Sequence, residues 1–597
     1  MAGSTRLDKP HQPKSGLTRR KAHPNIQQSC THSLLLNTRT SGDIVTSLSY
    51  ERGTRAKPLI HQTIGDFFDE VAGQMSEQVA VISRHENIRL SYGELRQKTD
   101  DLAAGLLASG LKPGDRIGIW SHTNVAWLLM QLATAKAGLI LVNINPAYRV
   151  AELEHALNLA GCKAIVTMVQ YRSSEYLNML RALGRARLPM LETIWWIDQG
   201  DEPDEPGAQR FSSLFGFTAA GHARLKEVRH TLRPDDAVNI QFTSGTTGLP
   251  KAATLSHRNI LNNGYFVGEC MKLAQTDRVC VPVPMYHCFG MVMGNLAALT
   301  HGSTIVYPST RFDAEAVLEA VQAEQCTALL GVPTMFIAVL NHPRFAVFDK
   351  STLRTGIMAG SPCPIEIMRR VVDEMHLREI TIAYGMTETS PVSCQSTTDT
   401  SLDKRVTTVG QVLPHLEIKI VDQVSGETVA RGESGELCTR GYSVMLGYWN
   451  QEDRTKEAID AAGWMHTGDL ARMDEDGFVN IVGRIKDMVI RGGENLYPRE
   501  IEEFLYTCPG VLDVQVVGVP DTHFGEELCA WIVRKPDATL DEAAVREFCQ
   551  QRIAHYKVPR YIRFVDAFPT TVTGKIQKYV IRKIMSDELG LEPENTA

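Results

Sequence analysis

The chain has 597 residues, with 62 Lys and Arg against 69 Asp and Glu, and therefore a formal net charge of −7. Its hydrophobic fraction of 43% and charged fraction of 22% are ordinary for a globular protein, and the near balance of charge argues against broad electrostatic binding of DNA or RNA. At about 150 residues per domain the length suggests about four domain-sized units, or fewer if one is a large α/β body.

Residues 1–48 differ in composition from the rest of the chain. They are rich in Ser and Thr, contain few acids, show little periodicity and carry the basic residues Arg6, Lys9, Lys14, Arg19, Arg20, Lys21 and Arg39. A mitochondrial transit peptide has this bias, but the prolines at positions 10, 13 and 24 weaken any amphipathic helix and favour a disordered tail. We predict a cytoplasmic protein, with the mitochondrial matrix as the alternative if residues 1–48 are a transit peptide.

The most apolar stretch, Ala126 to Val142, does not predict a membrane span. Lys136 interrupts it, and it is shorter than the roughly 20 apolar residues that a spanning helix needs. We predict a buried helix followed by a strand here. The twelve cysteines are scattered without a CxxC pair, which favours reduced thiols in an intracellular compartment over a zinc ribbon or a disulfide scaffold.

Between residues 60 and 483 short β-branched runs alternate with longer helical patterns. The clearest part predicts strands at 237–242, 278–283, 303–307, 327–330, 354–358 and 379–384, with helices starting near Ser256 and at about 291–300, 313–325 and 364–375. Strands that alternate with helices indicate βαβ units and mostly parallel sheets. Ligands of such sheets bind at the carboxyl ends of the strands.

After Arg484 the pattern changes to that of a compact α+β unit of about 110 residues. It predicts a helix at about 498–508, strands at 511–519, 526–533 and 560–565, a helix with a capping box from Thr539 to Glu542, and a final helix after Lys575. We therefore divide the chain into an extension at 1–48, a large domain at 49–484 and a small domain at 485–597.

The segment from Thr243 to Lys251 has the strongest chemical signal. It follows a predicted strand and reads Thr-Ser-Gly-Thr-Thr-Gly-Leu-Pro-Lys, so it offers flexible glycine backbone, four hydroxyls and a lysine. Oriented backbone amides in such a loop form an anion-binding nest that suits a polyphosphate. It is not a Walker A loop, because Lys251 follows Leu-Pro and has no Ser or Thr behind it. A flexible polar turn is the simpler alternative.

Further motifs follow in a fixed order. They are Tyr384-Gly-Met-Thr-Glu388, Thr467-Gly-Asp469, Gly483-Arg-Ile-Lys-Asp487, Arg491-Gly-Gly-Glu-Asn495 and Thr573-Gly-Lys575. Together with the Thr243–Lys251 segment they resemble the core motifs of the adenylate-forming (AMP-binding) superfamily, which includes acyl-CoA synthetases, luciferases and peptide-synthetase adenylation domains. The resemblance covers roughly residues 60–590.

The resemblance implies a fold, a reaction and a set of cosubstrates. The fold would be a large α/β N-terminal domain with mostly parallel sheets and a small mobile α+β C-terminal domain. A carboxylate would attack the α-phosphate of Mg·ATP to give acyl-AMP and pyrophosphate, and the thiol of CoA would then displace AMP. A carboxyl group has a reference pKa of about 4. The acid is therefore already ionised near neutral pH, and its attack needs no general base. The site must instead supply positive potential and donors aimed at the phosphate.

The resemblance also assigns roles to residues. The ATP phosphates would lie on Thr243, Ser244, Gly245, Thr246, Thr247, Gly248 and Lys251, with Mg²⁺ between Thr243 and Glu388. Thr387 would contact the α-phosphate, and Gly360, Ser361, Pro362 and Tyr384 would border the adenine. Asp469 would bind the ribose hydroxyls with Arg484 nearby, and Lys575 would bridge the carboxylate and the α-phosphate. Taken singly, these residues also fit turns, caps and surface ion pairs.

Three further positions concern the acid and CoA. The resemblance places His287 near the substrate carboxylate, although a packed core histidine is the rival. Lys486 would be the hinge about which the small domain rotates, with Gly492 and Gly493 at the pantetheine channel, where glycine allows close backbone approach.

The apolar residues at about 285–300 and 330–362 indicate a fatty or aryl acid as substrate. The wall would include Met285, Phe289, Met291, Met293, Leu296, Val332, Met335, Phe336 and Met358. The His287 segment has no Asp of the kind that amino-acid-activating members place there, and the segments 442–449 and 493–498 resemble the medium-chain branch of the acyl-CoA synthetases. We predict a medium-chain fatty acid:CoA ligase. An aryl-CoA ligase, an acyl-AMP ligase that loads a carrier protein and a luciferase-like oxygenase are the alternatives, and the oligomeric state stays open, with a homodimer as one option.

Overall fold

The computed structural model describes residues 47–171, 173–198, 207–216, 219–243, 250–361, 363–492, 494–550, 552–571 and 575–591. Residues 1–46 of the predicted extension lie outside this part, as do Ser244 to Gly248, Pro362 and Gly493 among the predicted site residues. In the described part, none of the helices is both long enough and apolar enough to span a bilayer.

The helices of the described residues are, in chain order, α1 Ile64–Gln74, α2 Tyr92–Ala108, α3 Val125–Ala137, α4 Val150–Ala160, α5 Tyr176–Arg187, α6 Ala219–Arg229, α7 His257–Cys270, a π-helix Phe289–Leu296, α8 Ala297–Thr300, α9 Ala314–Glu324, α10 Pro333–Leu340, α11 Ile365–Glu374, α12 Leu402–Thr407, α13 Glu452–Ala458, α14 Pro498–Tyr506, α15 Glu542–Cys549 and α16 Lys578–Leu589.

The strands are β1 Tyr50–Arg52, β2 Val79–Ser83, β3 Ile88–Ser91, β4 Arg116–Trp120, β5 Ile140–Asn143, β6 Cys162–Thr167, β7 Thr193–Trp196, β8 Ala208–Arg210, β9 Ala237–Thr243, β10 Lys251–Ser256, β11 Arg278–Cys280, β12 Thr304–Tyr307, β13 Ala328–Gly331, β14 Thr355–Ala359, β15 Glu379–Gly385, β16 Val392–Gln395, β17 Gln411–Val412, β18 Leu416–Val421, β19 Gly435–Gly441, β20 Gly447–Tyr448, β21 Met465–Met473, β22 Val479–Arg484, β23 Val489–Arg491, β24 Glu494–Leu496, β25 Val511–Asp521, β26 Gly525–Arg534 and β27 Tyr561–Phe564.

Two large sheets confirm the predicted βαβ architecture. The first has the order β20-β10-β9-β5-β4-β6-β7-β8 and is parallel from β9 to β8. The second has the order β17-β16-β15-β14-β13-β11-β12-β2-β3 and is parallel from β15 to β2. Helices between consecutive strands cover both sheets, so their central strands are buried on both faces.

Two smaller sheets complete the fold. The sheet β1-β18-β19-β21-β22 is antiparallel throughout, which the prediction of mostly parallel sheets did not include. The last sheet, β24-β23-β26-β25 with β27 beside β26, consists only of residues from 489 to 564. It has its own buried core, in which α14 and α15 pack on β25 and β26. The predicted boundary after Arg484 stays a prediction.

The apolar stretch from Ala126 to Val142 forms α3 and β5, as predicted. Every residue of α3 is buried, including Lys136, whose ammonium nitrogen lies 2.6 Å from a carboxylate oxygen of Asp69 and 2.6 Å from one of Asp100. A buried ammonium is tolerated only when it is paired in this way. The lysine that argues against a membrane span is therefore neutralised inside the protein core.

Two local predictions were wrong. The segment after Thr243 does not lead directly into a helix, because Lys251–Ser256 forms β10, antiparallel to β9, and α7 starts only after Ser256. The predicted cap of α7 is confirmed, since the Ser256 side chain accepts from the Asn259 N–H. By contrast, α15 has no capping box from Thr539 to Glu542. Its N-cap is Asp541, whose carboxylate accepts from the Ala544 N–H at 2.8 Å.

Candidate active site

The carboxyl ends of β9 and β15 meet although they belong to different sheets. Thr243 is the last residue of β9, and Glu388 lies in a short 3₁₀ turn that follows β15. The Thr243 hydroxyl donates to Glu388 Oε1 at 3.1 Å. The Glu388 backbone is held in place as well, because its carbonyl accepts from the Met445 N–H at 2.9 Å. The motifs predicted to flank Mg²⁺ are therefore in direct contact.

Tyr448 is a site residue that sequence reasoning did not single out. Its hydroxyl donates to Glu388 Oε1 at 2.8 Å, and its ring centroid lies 4.9 Å from the ammonium nitrogen of Lys251. Tyr448 thus connects the buried carboxylate with the first residue of β10. It stands in the quoted segment 442–449, whose resemblance to family motifs was the available signal.

The predicted phosphate loop is the connection of a β-hairpin. Thr243 and Lys251 are opposite each other in the β9–β10 register and bracket residues 244–250. The predicted phosphate ligands Ser244 to Gly248 lie outside the described residues. The two hairpin ends thus bring the Thr243 hydroxyl to Glu388 and the Lys251 ammonium to the ring of Tyr448, which itself donates to Glu388.

A second cluster joins the antiparallel sheet to β15. Asp469 and Arg484 are register partners on β21 and β22, and Arg484 Nε lies 3.2 Å from Asp469 Oδ1. The other oxygen, Oδ2, accepts from the Tyr384 hydroxyl at 2.7 Å. Burial raises the pKa of Asp469, and Arg484 and Tyr384 oppose that rise. This arrangement fixes the Asp469 carboxylate beside the aromatic ring of Tyr384.

Lys575 reaches the crevice between these two clusters. A Cβ added to Gly360 would lie 3.6 Å from Lys575 Cε, so the lysine side chain passes directly over Gly360. Removal from water and the charge of Arg484 lower the pKa of Lys575 to about 8, while Cys288, Glu388 and Asp469 oppose that shift. The predicted bridging lysine therefore lies among the predicted nucleotide and metal residues.

His287 lies close to Lys575 just before the π-helix. Burial and the nearby Lys575 lower the pKa of His287 to about 3, so the imidazole is neutral. The Phe289 N–H points at its Nδ1 at 3.2 Å. Because Nδ1 accepts, the ring proton is on Nε2 and makes that nitrogen a hydrogen-bond donor. His287 is suited to orient an anionic oxygen and is not set up as a base.

Two further groups of predicted residues have defined positions. Thr387 is buried beside Glu388 in the same 3₁₀ turn, and Ser361 follows Gly360 after β14.

The predicted hinge residue, Lys486, lies in the 3₁₀ turn Ile485–Asp487 directly after β22. Gly492 has φ +58° and packs on Phe524, where an added Cβ would come within 3.1 Å of the ring. A side chain at position 492 would therefore disturb both the turn and the packing.

Two of the nine predicted wall residues, Met335 and Phe336, line two adjoining pockets, and the other seven are in neither lining. The first pocket is lined by His122, Thr123, Pro282, Pro284, Tyr286, Thr310, Arg311, Phe312 and Met335. The second, smaller pocket has an entirely apolar lining, and it shares Pro282, Phe312 and Met335 with the first. Met335 and Phe336 line these spaces, as predicted. Pro282 and Phe312, which line both pockets, were not predicted as wall residues.

Comparison with known proteins identifies the family. The family model described as AMP-binding enzyme matches residues 68–449, and the model of the AMP-binding enzyme C-terminal domain matches residues 500–575. The chain belongs to the AMP-binding enzyme family. The matched ranges contain the segments Thr243–Lys251, Tyr384–Glu388 and Thr573–Lys575, while the segments at 467–469, 483–487 and 491–495 lie between the two ranges.

Curated members of the family with similar sequences are acyl-CoA ligases. The chain is 44% identical over 565 residues to the mitochondrial medium-chain acyl-CoA ligase ACSF2 of Bos taurus, with 92% of this chain and 91% of that protein covered. It is 45% identical to the putative acyl-CoA synthetase YngI of Bacillus subtilis, with 88% and 97% covered. The prediction of an acyl-CoA synthetase is confirmed, and with it the use of ATP and CoA.

Solved structures confirm the predicted fold. ATP-bound MatB from Rhodopseudomonas palustris aligns with a TM-score of 0.74 and 29% identity, over 88% of this chain and 99% of that chain. The anthranilate CoA ligase AuaEII in complex with anthranoyl-AMP aligns with a TM-score of 0.78 and 24% identity, over 90% and 99%. The roles of the individual site residues stay predictions.

Proposed function

We propose that the protein activates a medium-chain fatty acid on ATP to acyl-AMP and then transfers the acyl group to CoA. The observation that carries the proposal is the position of Lys575, which lies over Gly360 and within the electrostatic reach of Glu388, Asp469 and Arg484. A carboxylate and a triphosphate repel each other, so a cation placed between them is the group that the first step requires.

In the first step the chain's own residues hold two anions together. The ammonium of Lys575 bridges the acid carboxylate and the α-phosphate, and the Nε2–H of His287 donates to a carboxylate oxygen. Asp469 and Tyr384 hold the ribose and the base. Orientation of this kind can supply several kcal/mol of the barrier without proton transfer, because the nucleophile is already ionised.

The donor set beside the phosphates suits Mg²⁺. A hard divalent cation takes oxygen ligands, and Glu388 supplies a carboxylate whose Oε1 is fixed by the hydroxyls of Thr243 and Tyr448. We propose Glu388 and Thr243 as the residues that hold the ion. When bound, the ion neutralises phosphate charge. The same hydroxyl contacts fix the orientation of the Glu388 carboxylate before any ligand arrives.

The second step needs access for CoA. We propose that Lys486 is the hinge and that Gly492 and Gly493 border the pantetheine channel. Lys486 lies directly after β22, which is the last strand of the antiparallel sheet. The last sheet, within residues 489–564, begins three residues later. A rotation about this point would withdraw Lys575 and present the β23–β24 hairpin, which contains Gly492, to the crevice.

The acyl chain would occupy the two pockets beside α10. The apolar lining of the smaller pocket and the shared residue Met335 favour an aliphatic tail, and the relatives named medium-chain acyl-CoA ligases support the same substrate length. A pyrophosphate-release screen over C2–C18 fatty acids and aryl acids, with and without CoA, tests the proposal. We expect the highest kcat/KM at medium chain length and thioester only when CoA is present.

Two results of that screen would contradict the proposal. Absence of pyrophosphate release with every acid would refute the activation step. Release without thioester formation would favour a carrier protein as the acceptor, and a preference for aryl acids would favour the aryl-CoA ligase. A phosphopantetheine-loaded carrier protein, added in place of CoA, separates the acceptor alternatives.

We also propose that residues 1–48 direct the chain to mitochondria. Their basic, acid-poor composition fits a transit peptide, and the printed names of the relatives from Bos taurus and Danio rerio include a mitochondrial location. Fusion of residues 1–48 to a fluorescent protein should give mitochondrial fluorescence, and fusion of residues 49–597 should not. Diffuse fluorescence of the first fusion would support the cytoplasmic prediction instead.

A further inference from the structure

A chain of buried amide side chains lies behind the acid-binding wall. Asn143 at the end of β5 and Asn239 and Gln241 on β9 are each exposed by 2% or less. The Asn239 side-chain N–H donates to Asn143 Oδ1 at 2.9 Å, and the Gln241 N–H donates to Asn239 Oδ1 at 2.9 Å. Three consecutive amides therefore form one hydrogen-bonded row across two neighbouring parallel strands.

The row ends on the thioether of Met291, which lies in the π-helix. Asn143 Nδ2 lies 3.2 Å and Gln241 Nε2 3.0 Å from Met291 Sδ, so one sulfur accepts from two buried amides. Asn143 Nδ2 also donates to the Tyr286 carbonyl at 3.1 Å. That carbonyl belongs to the residue before His287. The row thus contacts the π-helix and the backbone that carries His287.

The other side of the π-helix is held in the same manner. The Gln131 side chain of α3 donates to the Met291 carbonyl at 2.9 Å and accepts from Asn295 Nδ2 at 2.9 Å. Asn295 Oδ1 in turn accepts from the Tyr307 hydroxyl at 2.8 Å. A π-helix leaves carbonyls out of the ordinary i→i+4 pattern, and here the carbonyl of Met291 has a side-chain donor.

The face of β9 that carries the amide row also extends toward Thr243 and Glu388. Side chains two apart on a strand point to the same face, so Asn239, Gln241 and Thr243 form one face of β9. The first two belong to the amide row, Gln241 also contacts Met291, and Thr243 donates to Glu388. One strand face therefore touches both the acid wall and the metal-binding carboxylate.

Buried amides cost free energy unless every polar atom is paired, and apolar residues would fill the same space without that cost. We propose that Gln241, Asn143 and Met291 form a positioning device that fixes the π-helix and His287 relative to β9, and thereby sets the affinity for the acid. The inference rests on the proposed function, since it concerns the acid that this function activates. Gln241 and Asn143 are positioning residues that act through His287 and the wall. Met291, predicted as part of that wall, lines neither pocket and connects the two amides to the π-helix.

The test uses replacements that preserve volume. Met291→Leu keeps the side-chain size but removes the acceptor of two buried N–H groups, and Gln241→Met removes one of those donors. We expect each to raise the KM for a medium-chain acid about tenfold and to change the KM for ATP less than twofold. Because the two variants share the loss of the Gln241–Met291 contact, the double variant should raise the acid KM by less than the product of the two single effects. Met130→Leu, a fully buried substitution on the helix that carries Gln131, should change neither KM.

Three outcomes would overturn the inference. These are additive effects of the two substitutions, an equal rise in both KM values, and an unchanged acid KM despite a lowered unfolding temperature. If Met291→Leu does not fold, the inference is tested with Gln241→Met alone, through the ratio of its KM for the acid to its KM for ATP. The wild-type enzyme is measured alongside. Its failure to release pyrophosphate with any acid would refute the proposed function, whereas normal wild-type activity with unaffected variants would refute only the positioning role.

Discussion

Tyr448 and Glu388 are joined by a hydrogen bond of 2.8 Å between the phenol hydroxyl and Oε1 of the carboxylate. The two residues are distant in the sequence, and the Glu388 carboxylate is buried. Thr243 donates to the same oxygen. The carboxylate is therefore held in one orientation by two hydroxyl donors from two different strands.

Removal of one donor should weaken the use of ATP. Tyr448→Phe leaves Glu388 with a single hydroxyl donor at Oε1, and a hydrogen bond to a charged group is worth about 1.5–3 kcal/mol. We expect kcat/KM for Mg·ATP to fall about 10- to 100-fold in a pyrophosphate-release assay. Tyr50→Phe is the matched control, because it removes an exposed 2.8 Å bond between Tyr50 and Glu417. An equal loss in both variants would contradict the role of Tyr448.

Lys575 should be needed for only one of the two half-reactions. Lys575→Ala removes the cation between the acid and the α-phosphate, so acyl-AMP formation should fall on the order of 10²–10³-fold. Thioester formation from supplied acyl-AMP and CoA should stay largely intact, since the proposed rotation about Lys486 withdraws this lysine before the second step. Lys583→Ala, at an exposed position of α16, serves as the control. Equal loss of both half-reactions would refute this division.

The same lysine predicts a pH dependence. Its pKa of about 8 lies below the usual value for lysine, and only the ammonium form attracts two anions. The kcat/KM for ATP, which reports the free enzyme, should therefore fall as the pH rises through about 8. Bound anions stabilise the ammonium, so the fall in kcat should occur at higher pH. Lys575→Arg should lose the fall near pH 8, because arginine stays charged. A fall that persists in this variant would assign it to another group.

Met335 should limit the length of the acyl chain. It lines both pockets beside α10, and each buried methylene is worth about 0.8 kcal/mol. Met335→Trp, which shortens the available space by about two methylenes, should lower kcat/KM for a C10 acid about tenfold relative to a C4 acid. Met190→Trp makes the same change at an exposed methionine. An unchanged ratio of the C10 and C4 values would show that the tail lies elsewhere.

The regular βαβ pattern made much of the fold predictable, because strands buried on both faces read as short apolar runs. The strand Ala237–Thr243 and the helix capped by Ser256 were predicted nearly to the residue. The strand Lys251–Ser256 was missed because it lies beside a polar loop, and its pairing with β9 depends on contacts that a local pattern does not contain.

The site residues that belong to sequence motifs were predictable. The site residues whose roles depend on packing contacts were less so. Glu388, Asp469 and Lys575 were predicted from motifs, and the structure brings them together. Tyr448 was missed because its role follows from a contact with Glu388 across the fold. Gln241 and Asn239 were missed because polar residues within a predicted strand give no sign of which partner they find.

Oxygen transfer from the acid to AMP tests the central claim most directly, namely that the acid carboxylate attacks the α-phosphate of ATP. The wild-type enzyme is supplied with ATP, CoA and a medium-chain acid labelled with ¹⁸O in both carboxyl oxygens, and the products are weighed by mass spectrometry. The account predicts one labelled oxygen in AMP, one in the acyl-CoA thioester and none in pyrophosphate. Unlabelled AMP, or label in inorganic phosphate or pyrophosphate, would contradict it.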